Sequence, residues 1–460
     1  MNISIVGAGI AGLAAAIALR RAGHNVEIYE KSQFKNEIGA AILLTPNGNR
    51  ILRKWGFDFE RARPVDFGQF RFVHGESLKV VIHEDFSGVE SRFGDRMCAY
   101  HRVDLHTGLR DLAEREREGW APPAKIKLGA EVVGVDAEKG ELTLSDGIRV
   151  EKDLVVLADG CHCPFLLDIT GENTPSVKIG KSVYRWLAPF DKVKEHPVAK
   201  QLWENQPAGF CSFFNDNGIF MVTYPCRNSE LLNCAVFHDT RPDERDKDDW
   251  NANTTHEKVL EALEGFSDAV RNIPLTTPHM KAYTVTQRPP STRIHKGKVL
   301  AIGDTVHHML PTHAQGGVAA LEDAAALEVL FDSSRFAPTS PPSPSTLEAR
   351  LKLYTTLRLP RSATMQILSS TNPRFTMANL ATKNEEIRKF YQGDLIDWPL
   401  GCTSWSEPIR EFIYGYDVFS EAEKAMEFRE RDDGKVPDGV LKWFGEVDEK
   451  WTRSEYAGLA

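Results

Sequence analysis

The first thirty residues limit the possible fold more than any other stretch of the chain. A short apolar segment runs into a glycine-rich turn, an alanine-rich segment follows, and a second apolar segment ends at Glu30. The turn reads Gly7-Ala8-Gly9-Ile10-Ala11-Gly12. This order predicts a strand, a tight turn, a helix and a second strand, which together form a unit that binds an adenine dinucleotide.

Each glycine of this turn has a physical task. Gly7 allows the tight turn, and Gly12 lets the helix pack closely on the strand. Gly9 lets backbone N–H groups approach a pyrophosphate at the positive end of the helix dipole, and Ile10 and Ala11 are predicted cofactor contacts in the same turn.

The acidic residue after the second strand completes the pattern. Glu30 lies eighteen residues after Gly12, where a carboxylate accepts hydrogen bonds from the ribose hydroxyls of an adenosine. This charge would repel a 2′-phosphate, although the neighbouring Lys31 weakens that argument. Both Glu30 and Lys31 are predicted to contact the nucleotide.

Length and charge exclude several classes of protein. The 460 residues suffice for two or three domains, and a formal charge of −9 without a long basic run argues against general affinity for nucleic acid. The sequence contains no uninterrupted run of eighteen apolar residues, so no membrane span is predicted. Because the first strand starts near residue 3, no room is left for a signal peptide, and we expect a cytoplasmic protein.

The cysteines do not predict a disulfide framework. The chain has seven, scattered and without a CxxC motif, which argues against structural disulfides and against a dithiol redox centre. Cys161-His162-Cys163 lacks the usual ligand spacing for zinc, so no metal site is predicted.

Further acidic residues and glycines follow apolar segments later in the chain. Asp159-Gly160 and Gly303-Asp304 each end a predicted strand, and a helix is predicted to begin near Gly316-Gly317. Residues 67–97 and 177–285 alternate apolar and polar positions, which predicts an antiparallel sheet. This sheet is our candidate substrate domain.

Together these segments resemble the single-component (group A) FAD-dependent aromatic hydroxylases, in the branch similar to salicylate hydroxylase, over roughly residues 1–370. Besides the first turn, the motifs that carry the resemblance are the stretch from Gly39 to Asn47, His101-Arg102-x-Asp104-Leu105, Asp159-Gly160, Tyr184-Arg185, Tyr224-Pro225, Gly303-Asp304 through Pro311, Gln315-Gly316, and Glu322-Asp323-Ala324.

The resemblance implies an α/β (α+β) fold of the p-hydroxybenzoate hydroxylase type. A Rossmann-like FAD-binding domain would comprise residues 1–66, 98–176 and 286–350, with the antiparallel sheet domain inserted. Residues 351–460 would form a C-terminal helical region.

The resemblance also assigns residues to a non-covalently bound FAD. Asp304 would bind the ribityl or ribose hydroxyls, and Arg102 would face the ribityl and pyrophosphate groups. Gly316 and Gly317 would offer N–H groups to N1 and O2 of the flavin, where a helix N-terminus stabilises negative charge. The remaining predicted contacts are Ala41 and Asp159.

The implied chemistry is that of the family. NADH or NADPH reduces the flavin, O2 adds at C4a to give a hydroperoxide, and its distal oxygen goes to an electron-rich carbon of a phenol. A small aromatic substrate would bind at Arg185, which would stabilise a phenolate or bind a carboxylate or carbonyl, and at Tyr224, which would bind a ring oxygen. The flavin ring would lie over Pro311 and the aromatic sheet, and Pro311 would also contact the substrate.

The histidines between Asp304 and Gln315 have separate interpretations. His313 would act as a proton shuttle, or else is a plain polar residue of its loop. His307 and His308 are interpreted as packing residues.

Departures from the family pattern leave some points open. Ala314 stands before Gln315 where relatives carry glycine, and Cys163 and Leu166 stand where many relatives carry a Ser and an Arg that contribute to nicotinamide use. NADH and NADPH therefore stay equal alternatives, as do a monomer and a homodimer.

Alternative functions also remain. They are flavin-dependent epoxidation or ring dearomatisation in secondary metabolism, decarboxylation accompanying hydroxylation, an FAD oxidase or dehydrogenase, and a non-enzymatic prenyl-carrier or escort protein.

Overall fold

The structure is a computed structural model that describes residues 1–34, 40–244, 252–336, 342–370, 380–390, 398, 402 and 406–431. Gly39 of the predicted flavin-binding stretch lies outside these residues, as does much of the predicted C-terminal region. The architecture is mixed α/β, which confirms the predicted fold class.

Strands and helices are interspersed along most of the described residues. The strands are β1 (Asn2–Val6), β2 (Asn25–Glu30), β3 (Ala41–Leu44), β4 (Val65–Asp66), β5 (Gln69–His74), β6 (Val80–Asp85), β7 (Cys98–His101), β8 (Lys125–Leu128), β9 (Val132–Asp136), β10 (Glu141–Leu144), β11 (Arg149–Glu151), β12 (Leu154–Leu157), β13 (Val177–Pro189), β14 (Gly209–Phe214), β15 (Phe220–Cys226), β16 (Leu231–Asp239), β17 (Ala252–Asn253), β18 (Lys281–Gln287), β19 (His295–Lys296) and β20 (Val299–Ala301). The helices are α1 (Ile10–Arg21), α2 (Pro46–Trp55), α3 (Phe59–Ala62), α4 (Val89–Phe93), α5 (Arg102–Glu114), α6 (Leu166–Thr170), α7 (Phe190–Lys194), α8 (Pro197–Trp203), α9 (His256–Ala262), α10 (Asp268–Arg271), α11 (Asp304–His307), α12 (Gly316–Leu330), α13 (Pro344–Ser369), α14 (Asn384–Arg388), α15 (Glu407–Tyr414) and α16 (Val418–Arg431).

A six-stranded sheet carries the nucleotide-binding motifs. Its order is β19-β20-β12-β1-β2-β8, and the pairs from β20 to β8 are parallel. The apolar residues of β12 and β20 are buried, as expected for a parallel sheet covered on both faces. Because parallel strands share one direction, the segments after β1, β2, β12 and β20 leave the sheet at the same edge.

An eight-stranded sheet lies beside it, with the order β17-β18-β13-β16-β15-β14-β5-β6. Among its described strands the pairings are antiparallel except between β14 and β5, which run parallel. The periodicity of residues 67–97 and 177–285 predicts the strands but not this parallel pairing, because the pairing joins segments far apart in the chain.

Helix α12 runs through the interior and is buried over most of its length. Glu322 and Asp323 on this helix meet Arg358 and Arg361 of α13, with Arg361 Nε 2.7 Å from Glu322 Oε2 and Arg358 Nε 2.9 Å from Asp323 Oδ1. Helix α13 continues through residue 350, where the sequence divides the nucleotide domain from the C-terminal region, so that division falls inside a continuous helix. In the part of the chain that the structure describes, no helix has the length and apolar character needed to cross a membrane.

Candidate functional site

A cleft of about 790 Å³ lies at the edge of the six-stranded sheet where β1, β2 and β12 end. It brings together predicted cofactor contacts that are far apart in the sequence. These lining residues are Gly7, Gly9, Glu30, Lys31, Arg102 and Asp159. Ile10 and Ala11 follow Gly9 as the first residues of α1 and are not among the described residues that line the cleft.

The glycines of the first turn have different surroundings. Gly7 has φ of 95°, and a Cβ there would lie 2.5 Å from the carbonyl oxygen of Ala158. A Cβ on Gly12 would lie 2.0 Å from the carbonyl oxygen of Gly7. By contrast, a Cβ on Gly9 would meet no described atom within 4 Å. Gly7 and Gly12 are therefore needed to form the turn, whereas Gly9 leaves open space beside the cleft.

Glu30 supports the turn as well as lining the cleft. Its Oε2 accepts a hydrogen bond from the backbone N–H of Ala8 at 2.8 Å, and its Oε1 accepts one from Ser32 N–H at 2.8 Å. Each carboxylate oxygen has a further lone pair, so these contacts leave capacity for a ribose hydroxyl.

Thr305 and Arg288 link the segments that follow β12 and β20 by hydrogen bonds. The sequence alone did not identify either residue. Thr305 Oγ1 donates to Asp159 Oδ1 at 3.3 Å and accepts from Gly160 N–H at 3.0 Å. Arg288 donates to the carbonyl oxygens of Thr305 and Cys161, both at 2.6 Å. Burial raises the pKa of Asp159, although hydrogen bonds from neighbours oppose the shift. No local pattern marks Thr305 or Arg288, since their partners are distant in the chain.

A second cavity, of about 360 Å³, lies between the eight-stranded sheet and the N-terminus of α12. Its lining residues include Ala41, Asp304, Pro311, Gly316 and Gly317 on one side. On the sheet side they include Arg185, Tyr224, Tyr283 and several phenylalanines. The predicted flavin contacts and the predicted substrate contacts therefore share one cavity.

Among the described residues that line the second cavity, Asp304 is the one with an acidic side chain. A Cβ on Gly316 would lie 3.9 Å from Asp304 Oδ1, so the carboxylate lies near the start of α12. Desolvation would raise the pKa of Asp304, but hydrogen bonding to His308 and the charges of His308, His307 and Arg102 hold it below its usual value. The carboxylate is therefore kept ionised and able to accept hydrogen bonds from hydroxyl groups.

Arg185 and Tyr224 project from neighbouring parts of the sheet. The guanidinium carbon of Arg185 lies 5.2 Å from the centre of the Tyr283 ring, and burial lowers the pKa of Arg185. Tyr224 Oη donates to the carbonyl oxygen of Ala41 at 3.3 Å, and Asn233 Oδ1 accepts from Ala41 N–H at 3.2 Å. Tyr224 thus contacts the segment predicted to lie against the flavin, a role that the sequence did not indicate.

His308 and His313, both in the segment before α12, lie in different surroundings. His313 is buried, its Nδ1 lies 2.8 Å from Thr312 Oγ1, and burial lowers its pKa to about 4. It is not among the described lining residues of the second cavity, whereas His308 is. His308 Nε2 lies 2.9 Å from Thr286 Oγ1, so this histidine joins the Asp304 turn to the sheet as well as packing.

Ala314 has an unusual backbone conformation. Its φ is 55°, in the left-handed region that favours glycine. Glycine, which the family resemblance implies at this position, adopts such a conformation most easily.

Comparisons with known proteins identify the family to which the chain is similar. Residues 1–331 match the family described as FAD binding domain. The chain is 31% identical to the FAD-dependent monooxygenase cfoG of Aspergillus candidus over 93% of this chain and 95% of that protein. It is 28% identical to hispidin-3-hydroxylase of Neonothopanus nambi, over 93% of this chain and 96% of the relative. The solved structure of a salicylate hydroxylase substrate complex superposes with a TM-score of 0.71 at 19% identity, covering 92% of this chain and 98% of that one, which supports the fold.

Proposed function

The chain belongs to the FAD binding domain family of flavoprotein monooxygenases, and we propose that it hydroxylates a phenolic aromatic substrate with NADH or NADPH and O2. One oxygen atom of O2 enters an aromatic C–H bond to give C–OH. The other leaves as water, with NAD(P)H and a proton supplying two electrons and two hydrogens.

One observation carries the proposal. The second cavity is lined both by the residues predicted to bind the flavin ring and by Arg185 and Tyr224 of the sheet. A substrate bound on the sheet would therefore face the flavin directly, which fits transfer of an oxygen atom between them. Holding the substrate in position beside the cofactor is one contribution that a protein makes to cofactor chemistry.

The residues present fit FAD at both ends. Gly9 leaves space for the pyrophosphate beside the N-terminus of α1, and Glu30 retains acceptor capacity for the adenosine ribose. Arg102 and Asp304 would contact the middle of the cofactor, while the N–H groups of Gly316 and Gly317 would face the ring. When bound, FAD would supply the activation of O2 after its reduction by NADH or NADPH.

The sheet residues would orient and activate the substrate. Arg185 carries a positive charge in a partly desolvated position, where it stabilises a phenolate more strongly than it would in water. An ionised phenol has a more electron-rich ring, which favours attack on an electrophilic oxygen. The phenylalanine side chains of the cavity exclude water from the reacting groups.

The test begins with the purified protein, which should be yellow and release FAD on denaturation. Oxidation of NADH and of NADPH is then followed with a panel of phenols, and products formed under ¹⁸O2 are analysed by mass spectrometry. A product that carries one ¹⁸O atom and is still aromatic supports hydroxylation, with or without loss of a carboxylate. An epoxide or dearomatised product, or flavin reduction by substrate alone, would overturn it.

A further inference from the structure

The register of the eight-stranded sheet aligns one row of residues across the cavity. Direct cross-strand partners on β13, β16, β15, β14 and β5 are, in that order, Arg185, Ala235, Val222, Ser212 and Phe72. All five line the second cavity. We call them the central row. Neighbouring strands lie about 4.8 Å apart, and the strands of Arg185 and Ser212 are separated by three such spacings, so the distance between these two positions is about 14 Å.

Aromatic pairs stand on both sides of the central row. Phe237 and Phe220 form one pair, with ring centres 4.6 Å apart and planes at 9°. Tyr224 and Phe210 form the other, at 6.1 Å and 16°. Residues two positions apart on a strand share a face, so these rings flank the smaller side chains of Ala235 and Val222. The result is a trough with a low floor and aromatic walls.

Polar groups mark the length of this trough. At one end the Arg185 guanidinium lies over the ring of Tyr283. Tyr283 is on β18, on the opposite side of β13 from Ala235, so the Arg185 side chain does not cover the small residues of the trough floor. At the other end Ser212 is 2% exposed and lines the cavity, so its hydroxyl is the polar group there.

Asn233 provides a further donor beside the trough. Its Oδ1 accepts from Ala41 N–H, so its Nδ2 is the donor that remains, and within the described residues that donor has no partner. The side chain is 8% exposed and lines the cavity. Because the side chain faces the cavity, this donor can bond to an acceptor of a ligand bound there.

From these features we infer that the substrate is a flat, extended aromatic molecule, either two joined rings or a ring with a conjugated chain, carrying oxygen functions near both ends. Arg185 binds an anionic oxygen at one end, Ser212 binds an oxygen at the other, and Asn233 donates to an oxygen between them. This inference rests on the proposed function, since it treats the cavity as the substrate site.

Binding measurements on the holoenzyme test it without turnover. The probes are 4-hydroxybenzoate, with one ring, and 4′-hydroxybiphenyl-4-carboxylate, with two rings and oxygen functions at opposite ends. Dissociation constants come from titration calorimetry and from the absorbance of the bound flavin. The second ring buries further apolar surface, so we expect the biphenyl to bind at least about tenfold more tightly. Equal affinities, or no binding of either probe, would overturn the inference.

Variants of trough residues distinguish an effect of the trough's shape on binding from a general loss of folded structure. Val222→Phe raises the floor and should weaken biphenyl binding by about tenfold or more, while 4-hydroxybenzoate changes by less than about threefold. Ser212→Ala removes one hydrogen bond and should weaken biphenyl binding by about threefold to tenfold. The matched control is Val81→Phe, on the exposed edge strand β6 of the same sheet, where Val81 is 56% exposed.

The outcomes distinguish this inference from the proposed function. Equal weakening of both probes by Val222→Phe would overturn the trough, whatever reaction the enzyme catalyses. A holoenzyme that forms no oxygenated product would overturn the proposed function, yet calorimetry on it would still report on the trough.

Discussion

Arg185 lies over Tyr283, with its guanidinium carbon 5.2 Å from the ring centre. Both side chains project from the eight-stranded sheet into the cavity that the flavin contacts share. A cation on the face of an aromatic ring is stabilised without being neutralised. Arg185 therefore keeps its charge available to an anionic group of the substrate.

Arg185→Ala should abolish this electrostatic support while leaving FAD bound. Loss of a charge-assisted hydrogen bond corresponds to a fall of about 10- to 100-fold in kcat/KM. Steady-state product formation and the flavin content of the purified variant measure the two effects. Arg149→Ala, at an exposed position of β11 with the side chain 70% exposed, is the control. Unchanged turnover would remove Arg185 from the site.

Asp304→Ala should yield protein with little FAD. The ionised carboxylate accepts hydrogen bonds from cofactor hydroxyls, and its loss should weaken FAD binding by about 10- to 100-fold. The dissociation constant is measured by quenching of FAD fluorescence on addition of apoprotein. Asp191→Ala, whose side chain is 94% exposed, should bind FAD normally. Full flavin occupancy in Asp304→Ala would contradict the assigned role.

Gly9→Ala and Gly12→Ala should fail in different ways. A Cβ at Gly12 would overlap the Gly7 carbonyl, so the variant should lose about 1–3 kcal/mol of stability or more. A Cβ at Gly9 meets no described atom, so that variant should fold normally and bind FAD weakly. Thermal unfolding of the apoproteins and FAD titration distinguish the two. Normal FAD affinity in Gly9→Ala would show that this side of the turn does not face the cofactor.

Glu27 should make stability depend on pH in acid. Desolvation would raise its pKa, but hydrogen bonds from Lys152 and Tyr29 and the charges of Lys152 and Lys127 lower it to about 2 from 4.5. The folded state therefore binds fewer protons, and the stabilisation is present above pH 4.5 and lost as pH falls towards 2.

The difference between wild type and Glu27→Gln measures this contribution. We expect about 1–2 kcal/mol at pH 7, because solvent screens part of the attraction between Glu27 and the lysines, and a difference that shrinks towards zero near pH 2. Urea unfolding of both proteins across this range gives the difference at each pH. A difference that stays constant with pH would show that ionisation of Glu27 does not stabilise the fold.

The local parts of the fold follow from the sequence. The turn from Gly7 to Gly12, the strand that ends before Gly303 and the helix that begins at Gly316 all depend on near neighbours. Their glycines and apolar periods therefore predict them well. The family resemblance extends this to the architecture, which the comparisons confirm.

Contacts between distant segments did not follow from the sequence. The parallel pairing of β14 with β5, the link from Thr305 to Asp159, and the bond from Tyr224 to Ala41 all join residues remote in the chain. Periodicity indicates which face of a strand is buried but not which strand it meets. For the same reason the sequence indicates only a packing role for His308.

The ion pairs between α12 and α13 bear on how the protein can be shortened. The family match ends at residue 331. The matched region therefore contains Glu322 and Asp323 but not their partners Arg358 and Arg361. A fragment cut there would lose the arginine partners of both carboxylates, although Asp323 would keep its contact with His307. Residues 1–331 therefore depend on α13 for these ion pairs, and expression trials should retain that helix.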